Sequence, residues 1–373
     1  VIDEGPPQHP LMETDRPDFE NGSPAYKVVD LFSGCGGLSL GIAQALSVSG
    51  RALDIRLAVD FESSAAAVYR ANFPSAAYVE RSSVEGIFDG AIAAAPTAGE
   101  LEWAEKIGPV HALVGGPPCQ GHSTLNNHTR GTDPKNALYM YMTRAAEILR
   151  PDVVMIENVP AVLNDRFAGR NVVEAARIEL ERQEYCVAHE VIPLHVLGVA
   201  QTRKRHILLA TKGAAPHPSE VFGSIVKNSV MHDVRWAIGD LEFVPAIGGD
   251  TPPKASATNL ERMAYLLQNG DYDLPNHLRP KCHQGQHSYK SMYGRLRWDK
   301  PAQTITSGFG SIGQGRYMHP SQLRALTPHE AARLQGFPDY FDFGSVTTRT
   351  SLATMIGNAV PPQLSAAVFR ELI

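Results

Sequence analysis

The chain has 373 residues, room for one large domain or two ordinary ones, and its 43% hydrophobic and 20% charged content is that of an ordinary globular protein. A formal charge of −5 argues against wholesale coating of nucleic acid, and no apolar run approaches the ~20 residues that a membrane span needs. Four cysteines (Cys35, Cys119, Cys186, Cys282) stand far apart without CxxC spacing, so neither a disulfide framework nor a zinc site is indicated and a reducing cytoplasm fits.

In chain order, VIDEGPPQHPLMETDRPDFENGSP is acidic and Pro-rich, which predicts a flexible leader over residues 1–24 rather than a signal peptide. Strand-like runs then alternate with helical patterning. The strands are expected at 27–32, 55–60, 110–114, 153–157, 187–192 and 206–210, the helices at 38–46, 63–71, 138–149 and 172–184, in the rhythm of a parallel sheet of βαβ units. Periodicity stops around 212–219, where Gly, Pro and Ala mark a domain boundary. Residues 220–320 read as a second, smaller domain, with a strand-like piece at 303–306. From Arg279 to Lys300 there are six basic residues (Arg279, Lys281, Lys290, Arg295, Arg297, Lys300) against one acid, Asp299. Such a stretch is either a footprint for a phosphate backbone or a solvated face. Thr327-Pro328-His329-Glu330 offers an N-cap, a proline at the first helical position and a capping glutamate, and Gly336-Phe337-Pro338 ends that helix.

Chemistry gathers at the strand ends. The first strand runs into Asp30-Leu31-Phe32-Ser33-Gly34-Cys35-Gly36-Gly37, where glycines let backbone approach a ligand at a helix N-terminus. The spacing is not GxGxxG, which speaks against a dinucleotide; taken alone, a ligand-free tight turn explains it equally well. The second strand ends in Asp60-Phe61, an acid suited to a ribose diol and a ring suited to adenine. Two prolines fix the backbone before Cys119 in Gly115-Gly116-Pro117-Pro118-Cys119-Gln120-Gly121. A thiol in such a polar turn gains little from packing, which favours a nucleophile over an inert cysteine. Residues 121–134 read as a mobile lid. Glu157-Asn158-Val159-Pro160 brings an acid to the same sheet edge, and in Gln201-Thr202-Arg203-Lys204-Arg205 alternation would turn both arginines to one face.

DLFSGCGGLSLG, GGPPCQGHS, ENVP, QTRKR, RALTPHEAARLQGFPD and GNAVPP occur in the order seen in the cytosine carbon-5 DNA methyltransferases, and the chain resembles that family from Val28 to about Phe369. The resemblance implies an α/β fold: a Rossmann-like methyltransferase domain with a mixed, mostly parallel sheet (residues 25–212 and 321–373) and a smaller target-recognition domain (213–320). It implies S-adenosylmethionine as methyl donor, S-adenosylhomocysteine as product, and a cytosine flipped out of double-stranded DNA as substrate. By the same resemblance Cys119 attacks carbon 6, Glu157 binds ring nitrogen 3 and the exocyclic amine, and Arg203 and Arg205 hold the base; Asn158 orients the catalytic turn. Phe32, Gly34, Gly36, Asp60, Phe61, Pro117, Leu138, Asn358 and Val360 fall to the cofactor. Where relatives commonly carry a Gly-Asp-Ile adenine hook this chain has Ser82-Ser83-Val84, with Ser83 in the hook position, and His122 stands where Phe is usual. Arg295, Arg297 and Thr304, beside Pro301-Ala302-Gln303-Thr304-Ile305-Thr306, are the expected DNA contacts. A monomer on DNA is expected, with no membrane partner; a cognate restriction endonuclease is a partner the sequence leaves open. The rival readings are a transfer-RNA cytosine methyltransferase, a catalytically silent DNA-binding regulator, which the intact Cys119, Glu157 and Arg205 set opposes, and a NAD-dependent oxidoreductase, which the glycine spacing opposes.

Overall fold

The apolar run Tyr26–Leu31 (β1) is buried at every residue except Lys27, as a strand covered on both faces must be. In the computed structural model, which describes residues 9–118, 137–227, 229–245, 249–284 and 291–373, it is an interior strand, third in order, of a seven-stranded sheet. The other members are Leu53–Asp60 (β2), Val79–Arg81 (β3), Ala112–Gly115 (β4), Val153–Asn158 (β5), Cys186–Pro193 (β8) and Lys204–Thr211 (β9). Arg166–Phe167 (β6) and Arg170–Asn171 (β7) form a separate short hairpin. The sheet order is β3-β2-β1-β4-β5-β9-β8.

The first five strands are parallel, and β9 pairs antiparallel with both β5 and β8. The purely parallel βαβ rhythm read from the pattern therefore fails at its end, while the mixed, mostly parallel sheet holds. The reason lies in the connection: only residues 194–203 separate β8 from β9, too few for the crossover that a parallel pair requires. β3 and the helix Ala98–Ile107 were not foreseen, although Thr97 and Glu100 form a capping box in plain sight of the sequence.

Gly37–Val48 (α1), Ser63–Asn72 (α2), Ala98–Ile107 (α3), Ala137–Leu149 (α4) and Val172–Arg182 (α5) follow β1, β2, β3, β4 and β7 in turn. Pro218–Lys227 (α6), Val234–Ile238 (α7), Ala257–Gln268 (α8), Pro328–Leu334 (α9), Arg349–Asn358 (α10) and Pro362–Arg370 (α11) complete the helices among the described residues. None is long and apolar enough to cross a membrane.

Contacts divide the chain into two compact units. One, the sheet unit, comprises Pro17–Pro193, Lys204–Ser229 and Pro362–Ile373; the other comprises Val1–Arg16, Leu194–Arg203 and Val230–Pro361. This differs from boundaries at 212 and 321. The helix α6 carries Val221, Phe222 and Ile225 on one face, all buried, and packs on β8 and α11 within the sheet unit. Residues 321–361 pack with 230–320, and their helix α9 has the capping box and the Gly336 ending read from its sequence. The strand-like piece at 303–306 forms no strand: its neighbour Ala302 makes one isolated bridge to Gln201, and Ile305 N–H donates to the Gln201 side chain.

The expected flexible leader is anchored at points along its described residues, although 21–24 are exposed. His9 lies against Trp236 and bonds its carbonyl oxygen, and Leu11 and Glu13 carbonyls accept N–H groups of Asp339 and Tyr340. Phe19, 3% exposed, accepts the Leu53 N–H. Burial of Leu11 and Phe19 offsets the polar composition that suggested disorder.

The helix that ends the chain is seated on α1. Ser365 Oγ donates to Leu38 O at 2.7 Å, and Gly41 lets the two backbones approach so closely that a Cβ there would collide with Pro362 O and Ser365 Oγ. Gly41→Ala is expected to destabilise the protein by about 3 kcal/mol, because backbone cannot yield as a side-chain tip can. A urea midpoint that does not fall would show that α11 shifts freely on α1.

Candidate active site

The sheet reverses its winding between β1 and β4, and in such sheets ligands gather at the carboxyl ends of the strands. There Phe32 and Gly34 both take positive φ (56° and 53°), so the backbone leaves β1 in a tight left-handed turn before entering α1. A Cβ added at Gly34 would meet nothing within 4 Å: the turn has open space over it, room for a ligand to lie against the backbone. The turn is fixed from across the sheet, since Gly34 N–H donates to Asp60 Oδ2 at 2.8 Å while Glu62 N–H donates to Asp60 Oδ1 at 2.8 Å. Burial pushes the Asp60 carboxyl above its ordinary range, opposed by those two N–H bonds. Phe61, next along, is 72% exposed, a bare aromatic face at the strand end. Beneath the turn Asp30 is fully buried, accepts from Ser39 Oγ at 2.7 Å, and has its carboxyl pushed up by burial to about 7. Ser83 is half-buried just after β3, at the N-cap of the short 3-10 helix Val84–Gly86.

These residues fit a nucleoside-bearing cofactor: an open backbone cradle, an acid for a diol and an uncovered ring for a base, all at adjoining strand ends. Asp60→Ala is expected to weaken cofactor binding by about 1.5–3 kcal/mol, the range of a charge-assisted hydrogen bond. Asp60→Asn, which keeps the acceptor for Gly34 but loses the charge, should fall between the two. Unchanged affinity by calorimetry in both variants would remove Asp60 from the cofactor site.

Cys119, His122 and the expected lid at 121–134 lie outside the described residues. What leads into them is described. Asn158 Nδ2 donates to Pro117 O at 3.0 Å and its Oδ1 accepts Val159 N–H at 2.8 Å, so the end of β5 holds the chain two residues before Cys119. Glu157 beside it is 6% exposed and pairs with Arg205 Nε at 2.5 Å. Gly116 sits close to this carboxylate: a Cβ there would stand 3.0 Å from Glu157 Oε2.

The remaining cysteines are poor nucleophiles or lie elsewhere. Cys35 is buried, and burial pushes its thiol up to about 12; Cys186 opens β8, and Cys282 belongs to the other unit. His206, next to Arg205, is buried and driven down to about 4, by burial first and by His189 second, so it adds no charge near neutrality.

Arg203 and Arg205 do not share a task. Arg203 precedes β9, is 3% exposed, and donates to Ile305 O at 2.8 Å and Gly357 O at 3.2 Å, which makes it a bracket for backbone. The alternation argument required both to lie in one strand, and only Arg205 does. Gln201, in the same motif, was given no role from sequence. It is fully buried, donates to Leu334 O and Gln335 Oε1, and accepts from Ile305, so a glutamine in the motif joins three segments of its unit. Tyr139 in α4 was also missed: its buried hydroxyl has no hydrogen-bond partner among the described residues, and burial followed by the charge of Glu157 drives it well up. Of the other expected cofactor residues, Pro117 is buried, Leu138 half-buried in the first turn of α4, Asn358 exposed at the end of α10, and Val360 half-buried.

The expected DNA contacts divide. Arg295 is only 9% exposed; its Nε donates to Asp271 O and its Nη1 to Pro320 O, both at 2.9 Å. It is a scaffold residue, and the expectation that it meets DNA is corrected: a guanidinium committed to buried carbonyls cannot reach phosphate. Arg297 is exposed and Thr304 half-buried, its carbonyl accepting from Tyr317. Arg279 Nε is held by Leu274 O, and Lys290 lies outside the described residues.

The model of the family described as C-5 cytosine-specific DNA methylase matches residues 26–373. The chain is 41% identical over 359 residues to the Type II methyltransferase M1.BsuMI of Bacillus subtilis strain 168, covering 95% of this chain and 82% of that protein. To the Type II methylase M.HgiDII of Herpetosiphon aurantiacus it is 32% identical, over 92% of this chain and 94% of that one. Among solved structures, a prophage-encoded E. coli protein described as a DNA modification methyltransferase superposes with a TM-score of 0.64 at 24% identity, covering 93% of this chain and 98% of that chain, a likeness of fold.

Proposed function

The chain belongs to the C-5 cytosine-specific DNA methylase family, and from that premise we propose that it methylates carbon 5 of a flipped-out cytosine in double-stranded DNA with Cys119 as covalent nucleophile. The observation that carries the site assignment is the arrangement at the end of β5, where Glu157 and Arg205 pair beside the Asn158 bond to Pro117.

S-adenosylmethionine, when bound, supplies the methyl group and leaves as S-adenosylhomocysteine. Phe32, Gly34 and Gly36 would lie along its methionine portion, Asp60 on the ribose, and Phe61 and Ser83 at adenine. Pro117, Leu138, Asn358 and Val360 are assigned to the same pocket by resemblance.

In the protein's own part of the reaction, the Cys119 thiolate adds to carbon 6 of the ring, which raises electron density at carbon 5. A free thiol with a pKa of ~8.5 is only partly ionised at neutral pH, so holding it rigidly in place matters. Glu157 accepts from the exocyclic amine and, on taking up a proton, donates it to ring nitrogen 3, where electron density grows as the sulfur adds; the proton returns when the adduct breaks down. Arg205, already beside Glu157, turns its remaining N–H groups to the ring oxygen; Arg203 keeps the segment in place. After carbon 5 is methylated, a base or water removes its proton, the carbon–sulfur bond breaks, and the thiolate is restored.

Arg297 and Thr304 are the assigned DNA contacts; of the expected target-recognition region 213–320, residues 230–320 keep that assignment, since 213–229 belong to the sheet unit. The Type II names of both relatives support a restriction–modification setting; a cognate endonuclease as counterpart and a monomer acting on DNA belong to the proposal alone. The same names leave the transfer-RNA alternative with less support. Tritium transfer to duplex DNA against transfer RNA, followed by bisulfite sequencing of the product, tests the proposal: label confined to transfer RNA, or absent from cytosine carbon 5, would overturn it.

A further inference from the structure

Arg297 is unlike the other described arginines around it. Arg295 is buried, and Arg316 is tied to Asp273 and to the Tyr272 and Arg295 carbonyls. The guanidinium of Arg297 instead lies in the open, 4.5 Å from the Tyr272 ring centroid, with Nε and Nη2 facing the two oxygens of Asp299 at 3.3 and 3.4 Å. The ring beneath it is itself fixed: Arg295 lies 4.4 Å from the same centroid, and the Tyr272 carbonyl accepts from Arg295 N–H at 2.9 Å and Arg316 Nη1 at 2.7 Å.

We infer that Arg297 is a specificity-determining residue that reads guanine in the major groove of the target duplex, with Tyr272 as its platform. The inference rests on residues 230–320 being the recognition region, and deepens that assignment. Three considerations lead to guanine. The two N–H groups are already aligned on a two-point acceptor, and guanine N7 and O6 form the two-point acceptor that base edges offer to arginine. The bonds to Asp299 are long for a charge-assisted pair, and Asp299 is exposed, so the acid is easily displaced. While Asp299 stays at its fork the pair is close to neutral, which weakens its long-range attraction to phosphate; reading a base requires the acid to give way at contact. Holding the side chain on Tyr272 beforehand reduces the entropy lost on contact.

The test begins with the wild-type enzyme, whose site is mapped by bisulfite sequencing of a randomised duplex. Each guanine of the site is then replaced in turn by 7-deazaguanine, which lacks the N7 acceptor. One position should lower kcat/KM, by less than the roughly 5- to 150-fold range of a full bidentate base contact because O6 remains. Arg297→Ala should show a larger loss, within that range, on the unmodified site, accept other bases at that position, and no longer respond to 7-deazaguanine there. Tyr272→Leu should relax the same position while Tyr272→Phe, which keeps the ring, preserves it. Cofactor affinity should be unchanged in all three variants. An Arg297→Ala enzyme weakened equally on every sequence, with a salt slope smaller by about one, would make Arg297 a phosphate contact and overturn the inference. So would a variant whose site is unaltered. A wild-type enzyme that methylates no duplex would instead overturn the function proposed above.

Discussion

Cys119→Ser is expected to lower methyl transfer by several orders of magnitude and leave S-adenosylmethionine binding nearly intact. The reason is chemical. A serine hydroxyl is scarcely ionised at neutral pH and adds far less readily to carbon 6 than a thiolate does, while the assigned cofactor contacts Phe32, Gly34, Asp60 and Phe61 lie at the ends of other strands. Asn158 still holds Pro117 in the variant, so the turn keeps its anchor and loses only its nucleophile. Single-turnover rates and calorimetry on the same preparation separate the two effects. A duplex containing 5-fluorocytosine adds a direct readout: fluorine cannot leave as a proton does, so the wild-type enzyme should be trapped covalently and the variant should not. Substantial turnover by the variant would remove Cys119 from the mechanism, and loss of cofactor binding along with turnover would point to a collapsed turn.

The second large effect is expected at Glu157. Glu157→Gln should lower kcat by about 10²–10³-fold, the cost of removing one group that stabilises developing charge. The amide keeps nearly the same volume beside Gly116, so the loss is not steric. It does leave Arg205 without its anionic partner in a pocket where both side chains are about a tenth exposed or less, so some loss of stability should accompany it. The discriminating measurement is kcat beside thermal unfolding: a rate loss of that size with only a modest fall in Tm marks a role in the reaction. A full rate in the presence of that modest fall would mean that the ion pair is structural.

The parts of this protein that were legible in its sequence are those set by short-range rules. Alternating apolar runs located six of the seven strands of the main sheet, and Thr327-Pro328-His329-Glu330 located α9 to its first residue, because capping chemistry is complete within four residues. β3 escaped because three residues carry too little pattern, and α3 escaped although Thr97 and Glu100 announced it.

The order of motifs was enough to place the chain in its family, and the glycine turn, Asp60-Phe61 and Glu157-Asn158 could be assigned to the carboxyl edge of a sheet from their positions at strand ends alone. Only the tertiary structure decided which long side chains are available. Arg295 and Arg297 are two residues apart and equally basic on paper, yet one is buried among carbonyl oxygens and the other lies exposed on Tyr272. Arg203 and Arg205 likewise part company, one bracing the Ile305 and Gly357 carbonyls and the other pairing with Glu157. The direction of β9 and the anchoring of residues 9–24 were settled in the same way. Local rules fix the path of the backbone, whereas the partner of a flexible charged side chain depends on which distant segments the fold brings within about 3 Å of its tip.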